Sequence, residues 1–190
     1  LNQKFILEKN IKSIIINDDE INISIELNFP YKSQEMLYEK IIKDGLKKIT
    51  DLNITIKWSL KILSRQAQKG VNSIKGVKNI IAIASGKGGV GKSSTAANLA
   101  LALSSEGANV GILDADIYGP SQPKMLGISQ KPKSKDGKSM EPVMIHDIQI
   151  MSIGFLVDQE TPMVWRGPMV TSTLEQLLNE TNWDNLDYLI

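Results

Sequence analysis

Residues 79–94 read NIIAIASGKGGVGKSS, and this stretch decides the fold. Residues 79–84 are a short apolar run rich in isoleucine, the pattern of a buried strand. Gly86, Gly88, Gly89 and Gly91 follow at once, and then Lys92, Ser93 and Ser94. From Gly86 to Ser93 every position fits the phosphate-binding pattern G-x-x-x-x-G-K-[ST]. Glycines let a backbone wrap closely around phosphates, because they take up positive φ without steric cost. The loop's N–H groups then form an anion nest, and the helix that follows adds its positive N-terminal end. The nucleotide-binding set is therefore Gly86, Lys87, Gly88, Gly89, Val90, Gly91, Lys92, Ser93 and Ser94. Lys92 would reach the β- and γ-phosphates of ATP, and the Ser93 hydroxyl would ligate Mg²⁺.

Downstream of the loop, Ala96, Leu99, Ala100 and Leu103 recur at helical spacing, and Gly107 sits where a helix C-cap would. Residues 109–113 are the next strand. Strand, loop, helix and strand make a βαβ unit, hence a parallel sheet with a right-handed crossover. Ligands bind such sheets at the carboxyl ends of the strands. Asp114 and Asp116 stand at that end. A carboxylate there could hold Mg²⁺ through water or orient the water that attacks the γ-phosphate; the plain reading is two solvated turn acids. Residues 117–123 (IYGPSQP) read as a structured loop suited to ordering by a γ-phosphate.

Further on, residues 128–142 are a lysine-rich surface hairpin or flexible loop, and His146 is a lone histidine of the kind usually found on a surface. Residues 148–153 look like another strand. The Trp165-Arg166-Gly167-Pro168 run leads into a helix to about Glu180, with Pro favourable in the first turn. Arg166 could touch a nucleotide or a partner subunit, or simply face solvent. Residues 184–190 begin a further core strand.

Upstream, residues 1–60 read as a small α+β domain. Residues 11–16 are β-rich, Asn17-Asp18-Asp19 is turn chemistry, and Ile21, Ile23, Ile25 and Leu27 alternate with polar residues. Ser33 is the expected N-cap of a helix to about Ile49, with Leu37, Ile41, Ile42, Leu46 and Ile49 on one face. Residues 54–58 add a third strand. Residues 61–78, polar, basic and carrying two glycines, read as a linker, and residues 79–190 as the second domain.

A chain of 190 residues with 42% apolar content can bury a core in each of two such domains. A net charge of +1 argues against nucleic acid as the main partner. The absence of cysteine excludes disulfides and thiolate metal sites within these residues. No apolar run approaches the ~20 residues of a membrane span, and the polar start is no secretory leader, so a cytoplasmic protein without membrane contact is expected. The start at Leu1 and the end in Tyr188-Leu189-Ile190 read as those of a fragment.

The loop carries a second lysine. Lys87 makes it G-K-G-G-V-G-K-S, which resembles the deviant Walker A motif of the ATPase class containing MinD, ParA, the nitrogenase iron protein and the Mrp/ApbC proteins. Within that class the strings IASGKGGVGKSS, GILDADIYGPSQPKMLG, MSIGFLVDQETPMVWRGPMV and LDYLI are most similar to Mrp/ApbC, the iron–sulfur cluster carrier ATPases. The resemblance covers residues 78–190, and the N-terminal unit is similar to the small domain that bacterial Mrp proteins carry. It implies an α/β P-loop NTPase fold with a mostly parallel sheet, preceded by a small α+β domain. It also implies a MgATP-hydrolysing homodimer in which Lys87 reaches the partner's nucleotide. Lys87, Lys92 and Asp116 would be catalytic, with Asp116 orienting water, and Ser93 and Asp114 would serve the metal. The full-length protein would carry a [4Fe–4S] cluster through a downstream Cys-x-x-Cys pair absent from these residues, exchanging it with apoproteins and cluster scaffolds. A positioning or partitioning ATPase of the MinD/ParA kind is the alternative, since it shares the loop.

Overall fold

The computed structural model describes residues 6–65, 73–156 and 167–190. Trp165 and Arg166 lie outside them. The chain divides into two compact units, one holding residues up to Leu63 together with Ser105–Gly107, the other Ser64–Ser104 and Ala108–Ile190.

The first unit is a three-stranded sheet in the order β1 (Ile11–Ile16), β2 (Glu20–Leu27), β3 (Asn53–Leu60). β1 and β2 pair antiparallel across the Asn17-Asp18-Asp19 turn, as their alternation and turn residues lead one to expect. β3 returns parallel to β2 after helix α1 (Glu35–Leu46). Ile21, Ile23, Ile25 and Leu27 are buried on one face of β2. The helix begins later than Ser33, because a 3₁₀ turn over Lys32–Gln34 takes the first turn and Gln34 stands at the cap without a side-chain bond. Its packed stripe is also rotated. Tyr38, Ile42 and Leu46 pack on the core, while Leu37, Ile41 and Ile49 are exposed. The Tyr38 ring sits 6.3 Å from that of Trp58, so an aromatic contact steers the helix.

The second unit has a four-stranded sheet in the order β5 (Val143–Ile145), β6 (Ile148–Ser152), β4 (Val110–Asp114), β7 (Tyr188–Leu189). β4 is parallel to both β6 and β7; only the β5–β6 hairpin is antiparallel. His146 and Asp147 form that hairpin's two-residue turn, both at positive φ, which leaves the lone histidine exposed. Helix α2 (Lys92–Ser105) lays Ala96, Ala97 and Ala100 on a core that includes Ile112, Ile148, Ile150 and Leu177. Full burial of an isoleucine or leucine of this kind is worth about 2 kcal/mol. α3 (Gln122–Met125) and α4 (Gly167–Asn179) complete the unit. The 128–142 segment is a hairpin, with Lys133 bridged to Glu141. Its turn is organised by Asp136, whose carboxyl is held down to about 2 by the N–H groups of Ser139 and Lys138.

The run expected as a strand over 79–84 follows β7 through parallel bridges, Val77 to Leu186 and Ile80 to Leu189, rather than as a regular ladder. The Ile81 N–H donates to the Leu189 carbonyl at 2.8 Å, the last backbone bond of this run to β7 among the described residues. β7 also lies between this run and β4, so the two strands flanking α2 are not adjacent. Two inter-strand spacings are about 9.6 Å, close to the width of the helix that crosses them.

Gly76, at φ +79°, brings this edge hard against the backbone: a Cβ there would lie 2.1 Å from the Trp183 carbonyl oxygen. Gly76→Ala should therefore destabilise the second unit by roughly 2–4 kcal/mol. Urea unfolding checks this, and a midpoint equal to wild type would contradict the placement.

Candidate nucleotide-binding site

Above the carboxyl ends of β4 and β7 lies a cleft of about 550 Å³, lined among others by Ser85, Lys92, Ser93, Asp114, Asp116 and Gln122. That volume falls in the range of small-molecule sites. One wall is apolar, from Val170, Leu174 and Leu178 of α4.

The loop over residues 86–91 is built to be filled. Gly89 (φ 73°) and Gly91 (φ 88°) are left-handed, a conformation that a side chain would strain. A Cβ added at Gly86, Gly88, Gly89 or Gly91 would meet nothing within 4 Å, so the backbone borders open space. Among the described residues, no N–H of 86–91 donates a hydrogen bond; the first to be used is Thr95, which donates to the Gly91 carbonyl at 2.8 Å. A run of unpaired amides at a helix start is backbone of the kind that binds anions. Lys92, the first residue of α2, pairs its Nζ with Asp116 Oδ2 at 2.9 Å. Ser93 follows it, and its hydroxyl makes no hydrogen bond with a described residue. The Ser85 hydroxyl donates to the Lys87 carbonyl at 2.9 Å, and the exposed Lys87 ammonium has no described acidic partner.

Asp114 and Asp116 play different parts. Asp114 is buried, and its Oδ2 accepts from the N–H groups of Ser121 (2.9 Å) and Gln122 (3.0 Å) and from the Ser152 hydroxyl (3.2 Å). Its Oδ1 accepts from the Asp116 N–H at 3.2 Å. The carboxylate therefore folds the 115–122 loop back onto the strand end. Asp116 stands out on that loop beside Lys92.

Gln122 and Ser152 escaped sequence reasoning. Gln122 is buried, its Nε2 donates to the Ser93 carbonyl at 2.9 Å, and its Oε1 is buried without a partner among the described residues. No spacing rule links a loop glutamine to a helix start 29 residues earlier. The geometry fits a nucleotide phosphate in the loop. It also fits a hydrated divalent cation, since a free hydroxyl and an orphaned amide oxygen both belong to oxygen-loving metal chemistry. No cluster of three or more His, Cys, Asp or Glu that could hold a metal occurs among the described residues.

Residues 76–190 match the family model described as ParA, NUBPL iron-transfer P-loop NTPase. The chain belongs to this family. It is 46% identical, over its whole length, to the iron–sulfur cluster carrier protein of Haemophilus influenzae, covering 52% of that protein. It is 51% identical over 91% of its length to the protein of the same description from Escherichia coli, covering 47% of it. The chain thus spans about half the length of these curated relatives. Among solved structures, a nucleotide-binding protein from Archaeoglobus fulgidus in complex with ADP is similar, with a TM-score of 0.50 and 37% identity over 60% of this chain and 43% of that one. No helix among the described residues is long and apolar enough to cross a membrane.

Replacing Asp114 with alanine strands three loop amides and a buried hydroxyl. Asp114→Ala should cost roughly 3 kcal/mol of stability. A thermal melt measures the cost, and an unchanged melting temperature would contradict the loop-anchoring role.

Proposed function

We propose that the protein containing this chain is a MgATP-dependent iron–sulfur cluster carrier. The observation that supports it most directly is the ring of unpaired loop amides beside Lys92 and Ser93, in a chain whose relatives are described as cluster carriers. Those relatives favour a carrier over a positioning or partitioning ATPase sharing the same loop.

In this reading the amides of residues 86–91 and Lys92 hold the β- and γ-phosphates, and the Ser93 hydroxyl holds Mg²⁺. The metal, when bound, neutralises phosphate charge. An entering phosphate takes Lys92 over from Asp116, and the released carboxylate is then placed to orient a water for hydrolysis. Asp114 supports the metal's side of the site through the loop it anchors. Catalysis is positioning and charge neutralisation rather than covalent chemistry. Lys87, exposed and without an acidic partner among the described residues, neutralises charge on a second protomer's nucleotide, so the working form is a homodimer. The cluster is cargo, a [4Fe–4S] unit held by cysteines outside these residues, and the partners are apoproteins and cluster scaffolds. The setting is the cytoplasm, where ATP is plentiful.

In the full-length protein, Lys92→Ala should lower nucleotide affinity at least tenfold, while Lys87→Ala should lower phosphate release far more than affinity. Wild-type turnover in both variants would sink the ATPase assignment. Anaerobic reconstitution with iron and sulfide tests the cargo: visible absorption for about one cluster per dimer is expected, and a colourless protein with normal ATP binding would shift the reading to a positioning ATPase.

A further inference from the structure

The buried Gln122 side chain engages only one of its amide's two polar atoms with a described residue. Its Nε2 donates to the Ser93 carbonyl at 2.9 Å, while Oε1 is buried with no partner among the described residues. The orientation is chemically forced: a carbonyl can only accept, so the amide nitrogen must face Ser93 and the oxygen is left over. An unpaired buried acceptor costs about 1–3 kcal/mol, and native proteins rarely tolerate one without a use. The neighbouring Ser121 hydroxyl is a second buried, unpartnered group on the same loop. Asp114 fixes both residues through their N–H groups, at 2.9 Å and 3.0 Å. The Gln122 amide is thus held against the first turn of α2, where Ser93 offers its hydroxyl.

Magnesium sheds water reluctantly and is bound with several waters in place. Each such water turns its hydrogens outward, so the layer around it needs acceptors and not donors. Oε1 is the other arm of the planar amide already touching Ser93, and it meets that need. We infer that Gln122 is a positioning residue of the nucleotide site, tying the first turn of α2 to the loop that carries Asp116 and accepting, through Oε1, from the water shell of a divalent cation at Ser93. The inference rests on the nucleotide reading above and adds to it the residue that couples metal to loop.

The test is nucleotide affinity in the full-length protein, measured by calorimetry with a non-hydrolysable ATP analogue, once with Mg²⁺ and once with EDTA. The informative quantity is the ratio of the two affinities, which a merely structural contribution would not move. In Gln122→Leu the ratio should shrink about tenfold relative to wild type, the effect of losing one hydrogen bond to a charged group. Gln122→Glu keeps an acceptor, and its ratio should stay within about twofold of wild type; should the leucine variant fail to fold, Gln122→Met, of similar length and without an amide acceptor, takes its place with the same expected loss. A wild-type ratio in Gln122→Leu, or a collapsed one in folded Gln122→Glu, overturns the role of Gln122 while leaving the nucleotide site standing. Wild-type protein that binds no nucleotide in either buffer overturns the site itself.

Discussion

One buried carboxylate organises the second unit's working end. Asp114 terminates β4 and gathers four donors, from the strand β6 side through Ser152 and from its own loop through Asp116, Ser121 and Gln122. A carboxylate accepts several hydrogen bonds at once and tolerates burial only when it does. Its satisfaction therefore dictates the path of the 115–122 chain, and that path carries Asp116 to Lys92 and the Gln122 amide to Ser93. The phosphate loop and the loop after β4 are joined through this group although the strands that bear them are not neighbours.

The remaining constraint is that the 86–91 loop must stay unsatisfied. In the β2–β3 and β4–β6 ladders, by contrast, backbone amides are paired. Keeping a run of amides free costs stability, and the glycines that permit it, at φ 73° and 88°, give up chain entropy as well. The neighbouring structure offsets this: α2 lays its alanine face on the core that includes Ile112 and Ile150, and its Ser93 carbonyl is held by Gln122.

Much of this was legible in advance, for reasons that can be located. The phosphate loop is a local motif whose glycines and lysine act within one turn, so Gly86 to Ser93 announce themselves. Alternation exposed β2, and the apolar spacing of Ala96, Leu99, Ala100 and Leu103 exposed α2. Non-local facts were illegible. The insertion of β7 between residues 77–81 and β4 depends on a segment more than a hundred residues downstream, and the rotation of α1 depends on Tyr38 meeting Trp58. The short β5 and the brief α3 lack enough residues to show a period. Asp114 was visible as a strand-end acid, yet its division of labour with Asp116 arises from which loop amides fold back on it.

The Lys92–Asp116 pair has a consequence for how the site responds to salt. A bare lysine in a phosphate loop draws mobile anions from solution, and ligand binding then releases them, which makes affinity fall steeply as ionic strength rises. Here the counter-ion is tethered, since Asp116 Oδ2 already sits 2.9 Å from the ammonium. In the function proposed above, an incoming phosphate would exchange places with a carboxylate of the protein and not with chloride. The Lys92 contribution to binding would thereby be buffered against the surrounding electrolyte, while the displaced carboxylate would add negative charge beside the phosphates and strengthen the demand for a cation.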